Sequence, residues 1–127
     1  MKKIILIAQG TVEARKRILQ ALEPLYDEGY YLLTCNSGDD LLKKIPLGTP
    51  SLIFIDLPLP GRNGFELLNF IRNNPRTSDV PIVVLVSPTQ GIFKLTSLGL
   101  KSTLFINRPA SNGKILELAK TCLEEAR

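Results

Sequence analysis

The sequence predicts an α/β domain built on a five-stranded parallel sheet with helices on both faces. Three observations carry that prediction. Five short runs, residues 4–8, 30–35, 52–56, 82–86 and 103–107, are apolar along most of their length, the pattern of strands covered on both sides. Between them lie stretches whose apolar residues recur at helical spacing. The connections are short, as alternating strand–helix units require.

Each element has its own warrant. Residues 4–8 are an unbroken apolar run. Residues 11–23 form a helix with Ala14, Ile18, Ala21 and Leu22 on one face, and Pro24 and Gly29 punctuate its end. The second strand covers 30–35, and Ser37 caps a short helix through Ile45. Pro46, Gly48 and Pro50 make a loop before the third strand, 52–56. A helix over 63–72 turns Phe65, Leu68 and Ile71 inward and stops at Asn73-Asn74-Pro75. The fourth strand, 82–86, contains only β-branched residues and leucine. Pro88 opens a helix to Leu98 with Ile92, Leu95 and Leu98 at spacings of three. The fifth strand is 103–107, and a last helix, capped by Ser111 or Asn112, places Ile115, Ala119, Cys122 and Leu123 together.

Size and composition narrow the function. At 127 residues the chain is expected to be one domain, 1–127, without repeat or linker. The formal charge of +4 is mild and its basic residues are scattered, apart from Arg15-Lys16-Arg17. That cluster reads as a solvated helix face rather than a nucleic-acid patch, so direct nucleic-acid binding is not expected. There is no histidine, and Cys35 and Cys122 lack metal-ligand spacing. This argues against most transition-metal sites and His-based triads. Buried free thiols in a reducing compartment are the expected state. The N-terminal apolar run ends at Gln9, shorter than the roughly 7–15 residues of a signal-peptide core. No run approaches the ~20 apolar residues of a membrane span. A cytoplasmic protein without membrane contact is therefore expected.

The most informative stretch is Phe54-Ile55-Asp56-Leu57-Pro58-Leu59-Pro60-Gly61-Arg62-Asn63-Gly64. It puts an aspartate at the C-terminal lip of a buried strand, where open α/β sheets bind ligands. A carboxylate there can attack phosphate and form an acyl phosphate. Gly61 and Gly64 are read as turn residues.

With five strand–helix units and this loop, the chain resembles the response-regulator receiver domain over essentially its whole length. Asn36-Ser37-Gly38-Asp39-Asp40-Leu41-Leu42 resembles the opening of that family's second helix. Asp79-Val80-Pro81-Ile82-Val83-Val84-Leu85 resembles its fourth strand, and Phe105-Ile106-Asn107-Arg108-Pro109 the end of its fifth. The resemblance implies a three-layer, doubly wound (βα)5 flavodoxin-like fold with strand order 2-1-3-4-5. It also implies a role in two-component phosphorelay signalling, with Asp56 at the phospho-acceptor position.

The family's chemical helpers map onto altered residues. Where it carries an acidic pair that holds Mg²⁺, this chain has Ala8, Gln9 and Gly10, and the nearest carboxylate is Glu13. Where the fourth strand ends in a Thr or Ser that binds the phosphoryl group, the chain has Val86, with Ser87 next along. The aromatic switch position is Phe105. The strand-five lysine is replaced by Arg108, able to pair bidentately with Asp56. Pro109 stands where the family has a proline after a cis peptide, so the resemblance implies a cis Arg108–Pro109 bond.

These substitutions point to an atypical receiver, a binding module rather than an enzyme, with no resident cofactor and Mg²⁺ called for only if phosphorylation of Asp56 persists. Its partners would be a histidine kinase, another regulator or a second copy, the last through the helix over 88–98, the fifth strand and the last helix. Ile92, Phe93, Leu95 and Leu98 spread around more than one face of that helix, with Lys94 its one charge. One alternative is a slow, Mg²⁺-dependent phospho-acceptor at Asp56. Another is a flavodoxin-like cofactor binder, against which the short loop Gln9-Gly10-Thr11 offers little phosphate cradle. No effector domain follows the last helix in these 127 residues, which fits either a protein acting alone or a piece of a longer regulator.

Overall fold

A computed structural model describes residues 3–61, 63–86 and 102–125. Five parallel strands, β1 (Lys3–Ala8), β2 (Tyr30–Cys35), β3 (Leu52–Asp56), β4 (Ile82–Val86) and β5 (Thr103–Asn107), form one sheet in the order β2-β1-β3-β4-β5. This is the expected order. Four helices are described: α1 (Val12–Tyr26), α2 (Gly38–Lys44), α3 (Gly64–Asn73) and α4 (Asn112–Glu125). A 3-10 turn, Ile45–Leu47, follows α2. The helix expected over 88–98, and Arg62 and Ser87 with it, lie outside the described residues.

Alternation along the strands builds two cores. Ile5, Ile7, Leu52, Phe54, Val83 and Leu85 face α1 and α4, meeting Ile18, Leu22, Ile115 and Ala119. Leu6, Ala8, Ile53, Ile55, Val84 and Val86 face α2 and α3, meeting Leu41, Leu67, Leu68 and Ile71. β3 and β4 are buried at every position, which is why their sequences are apolar without alternation.

The helix starts follow side-chain chemistry. Thr11, Ser37, Asn63 and Ser111 accept hydrogen bonds from the backbone N–H of Ala14, Asp40, Phe65 and Lys114, each relieving an orphan donor of a first turn. Ser111, not Asn112, is thus the last cap. α1 differs from expectation at its far end: it continues through Pro24 to Tyr26. Proline removes one backbone donor in that turn, while Leu25 beyond it is buried in the core and holds the turn helical. In α3, Leu67 takes the fully buried place, and Phe65 is partly buried.

At the N-terminal edge of the sheet, Arg72 gathers the chain. Its Nη1 donates to the Thr77 and Ser78 carbonyls, and its Nη2 donates to the Ser102 carbonyl and Thr103 Oγ1. The Thr77 hydroxyl, fully buried, donates to the Ile71 carbonyl at 2.6 Å. Together they tie the end of α3 to the entries of β4 and β5. Burial pushes the Cys35 thiol up to about 11 and raises that of Cys122. Both are free and buried and remain protonated at neutral pH.

Among the described residues Phe54 is the largest fully buried side chain, and it sits on the central strand against α1 and α4. Phe54→Ala is expected to cost about 3–5 kcal/mol of stability, read as a lower urea midpoint at an unchanged m-value.

Candidate functional site

The ladder continues one residue past three strand ends and so assembles the site. Gln9 N–H donates to the Cys35 carbonyl, Leu57 N–H to that of Leu85, and Arg108 N–H to that of Val86, each at 2.9 Å. Gln9, Asp56–Leu57 and Arg108 therefore stand along one edge, the C-terminal edge of a parallel sheet. That edge is where open α/β sheets place ligands.

Asp56 lies at its centre, only 7 % exposed. Arg108 Nη1 stands 2.8 Å from its Oδ1, and Arg108 Nη2 donates to the Leu57 carbonyl at 2.7 Å. The expected bidentate pair is thus replaced by a fork that spans two successive residues, one carboxylate oxygen and one carbonyl. Nη1 is close to Oδ1 but not aligned with it, and Oδ1 accepts no well-directed hydrogen bond. Gln9 Nε2 donates to Oδ2 at a long 3.5 Å. Gln9 is itself 1 % exposed, and its Oε1 is buried without a partner.

Electrostatics at Asp56 are a contest between burial and cations. Burial raises the carboxyl above the usual aspartate value. The Arg108 charge, the Gln9 hydrogen bond and the Arg17 charge on α1 pull it back, without cancelling the rise. Arg15 Nη1 also reaches the Gln9 carbonyl, at 3.5 Å. The basic cluster on α1 thus serves the site in part, although its sequence pattern suggested only a solvated face.

The other anticipated positions fall as follows. Ala8 is fully buried at the end of β1, and Val86 is fully buried in the core shared with α2 and α3. Phe105 is partly buried against that same core. Glu13 is exposed in the first turn of α1. The Arg108–Pro109 bond is cis, and so is Leu57–Pro58.

Two glycines shape the loop over Asp56. A Cβ at Gly64 would lie 2.9 Å from Leu57 Cδ1, so a larger residue there would make the end of the Leu57 side chain shift; the constraint at 64 is room rather than turning. Gly61, at φ +89°, does need glycine's conformational freedom. A Cβ at Gly10 would meet Pro60 Cδ at 3.2 Å and the Pro58 carbonyl at 3.6 Å. Leu57 and Leu59 are buried, so the loop is packed down onto the sheet edge. Leu57's carbonyl and Pro60's ring were invisible as site components in sequence, because a backbone oxygen and a van der Waals contact leave no motif.

Among the described residues, no three His, Cys, Asp or Glu side chains gather as metal ligands would. None of the described helices is long and apolar enough to cross a membrane.

The raised carboxyl has a consequence for stability. A folded-state carboxyl that binds its proton more tightly than in the unfolded chain costs stability as pH rises through its titration. The cost is absent below the ordinary aspartate range, about pH 4, and complete above the folded value. Asp56→Asn removes it. The stability of the variant relative to wild type should therefore improve from pH about 4 towards neutrality, as read by urea unfolding across pH. A flat difference would contradict the direction of the shift.

Comparison with known proteins agrees with this architecture. The family model "Response regulator receiver domain" matches residues 5–120. The transcriptional regulatory protein DltR of Streptococcus agalactiae serotype III (strain NEM316) is 31% identical over 106 residues, 83% of this chain and 46% of that protein. The transcriptional regulatory protein BaeR of Escherichia coli O6:H1 is 33% identical over 90 residues, 71% of this chain and 36% of that protein. The chain thus spans less than half the length of these curated relatives. In fold it resembles the chemotaxis response regulator CheY4 of Vibrio cholerae, with TM-score 0.81, 21% identity, and 97% and 100% of the two chains covered. NtrX from Brucella abortus has TM-score 0.81 and 24% identity, over 99% of this chain and 28% of that one. With the family model covering most of the sequence and the sheet in the same order, the chain belongs to the response-regulator receiver domain family of two-component signalling proteins.

Proposed function

We propose that this receiver works by binding another protein, without a phosphorylation cycle at Asp56. The carrying observation is the pair of groups set against that carboxylate, a carboxamide at Gln9 and a guanidinium at Arg108. Phosphoryl transfer to a carboxylate brings negative charge onto negative charge. It proceeds when bound cations and donors neutralise the transferring oxygens. Here position 86 is a valine without a hydroxyl, and the fork of Arg108 is committed to Asp56 and the Leu57 carbonyl. Asp56 is also nearly inaccessible beneath the packed loop.

On this reading Asp56 is a structural carboxylate, Arg108 its cationic partner, and Val86 and Phe105 fixed packing residues rather than a switch. The module is cytoplasmic and not an enzyme. Its partner is a histidine kinase or another regulator, or a second copy engaged through the 88–98 segment, β5 and α4. The receiver-family match gives the flavodoxin-like cofactor reading no support.

One observation favours the rival, a slow phospho-acceptor: Asp56 Oδ1 accepts no aligned hydrogen bond and so keeps a lone pair for attack. Intact mass after incubation with acetyl phosphate and Mg²⁺, beside Asp56→Asn, separates the two. The expected result is no phosphate-sized increment in either protein. An increment in the wild type alone would establish the slow acceptor.

A further inference from the structure

We infer that Arg108 is a built-in counter-ion that stands in for a bound divalent cation at Asp56, making the site independent of Mg²⁺. The inference deepens the reading above and rests on it for the identity of Asp56 as the acceptor position.

The donor set does not suit the metal. Mg²⁺ takes oxygen ligands in a near-ideal octahedron and is usually held by one or two carboxylates with water. Asp56 supplies one carboxylate. Position 9 supplies a neutral carboxamide in place of an acid: its N–H points at Oδ2, and its unpartnered Oε1 brings no negative charge to hold a divalent ion. Arg108 covers Oδ1 at 2.8 Å and engages the Leu57 carbonyl at 2.7 Å. Both oxygens that the end of β3 turns towards this fork are therefore already facing a permanent positive charge. Arg17 adds a second, longer-range positive field at Asp56. A divalent ion would have to displace a planar fork held at two points and then sit beside it.

The same fork ties the loop. Because it grips successive residues, Asp56 and Leu57, it fixes the strand end and the first peptide of the loop together. That first peptide leads into the segment packed against Gly10 and Gly64. A bound metal can leave; a side chain cannot.

Thermal unfolding of the full chain in millimolar MgCl₂, against NaCl of matched ionic strength, tests this. Wild type should show no Mg²⁺-specific change in Tm. Gln9→Asp/Arg108→Ala restores a second carboxylate and clears the fork. It should gain roughly 3–6 °C when Mg²⁺ reaches about ten times its Kd. Should that variant fail to fold, Gln9→Asp/Arg108→Lys, which keeps a cation at position 108 but removes the planar fork, carries the same expectation. A Mg²⁺-specific rise in wild type would overturn the inference, as would a folded double variant indifferent to Mg²⁺. Phosphorylation of wild type would sink the functional reading of the preceding section. Metal independence is read separately, by Tm, so the two failures are distinguishable.

Discussion

The arrangement of this molecule depends on one constraint: β3 is buried at every position, and its last residue is a carboxylate. An apolar strand can be covered on both faces at little cost, but an ionised group at its end needs a partner or water. Water is largely excluded, because Leu57 and Leu59 are packed down and Pro60 comes up against Gly10. The charge must then be met from within. Arg108 does this from the end of β5, Gln9 from β1 and Arg17 from α1, so three elements converge on one side chain. Burial still outweighs them. That residual cost is typical of functional sites, where stability and chemistry pull in opposite directions.

Most of the fold was legible because burial on both faces writes itself into sequence as unbroken apolar runs. All five strands were read from that signal, and three strand ends continue their ladders to deliver the site residues to one edge. The helix starts were legible because a capping side chain is a local device. The end of α1 was not. Pro24 is a strong local signal for termination, but Leu25 sits in the core and tertiary packing outweighs the lost hydrogen bond. Gly64 shows the same limit: its smallness answers to Leu57, seven residues away in sequence and in contact only after folding.

The site was legible as a set of positions more than as a geometry. Asp56 and Arg108 could be paired through the family resemblance, yet the division of the fork between a carboxylate and a carbonyl depends on where the Leu57 peptide points. Arg15 and Arg17 looked like ordinary helix charges. Their bearing on Gln9 and Asp56 comes from the packing of α1 against the sheet, which no local pattern encodes.

The contact between Gly10 and Pro60 sets the order in which this edge accepts new charge. A side chain at position 10 adds a Cβ 3.2 Å from a proline ring, so the loop must yield before a carboxylate there can contribute anything. Position 9 already sends a side chain to Asp56, and an acid placed there inherits a path that the loop has left clear. The edge is therefore easier to recharge by engineering at Gln9 than at Gly10.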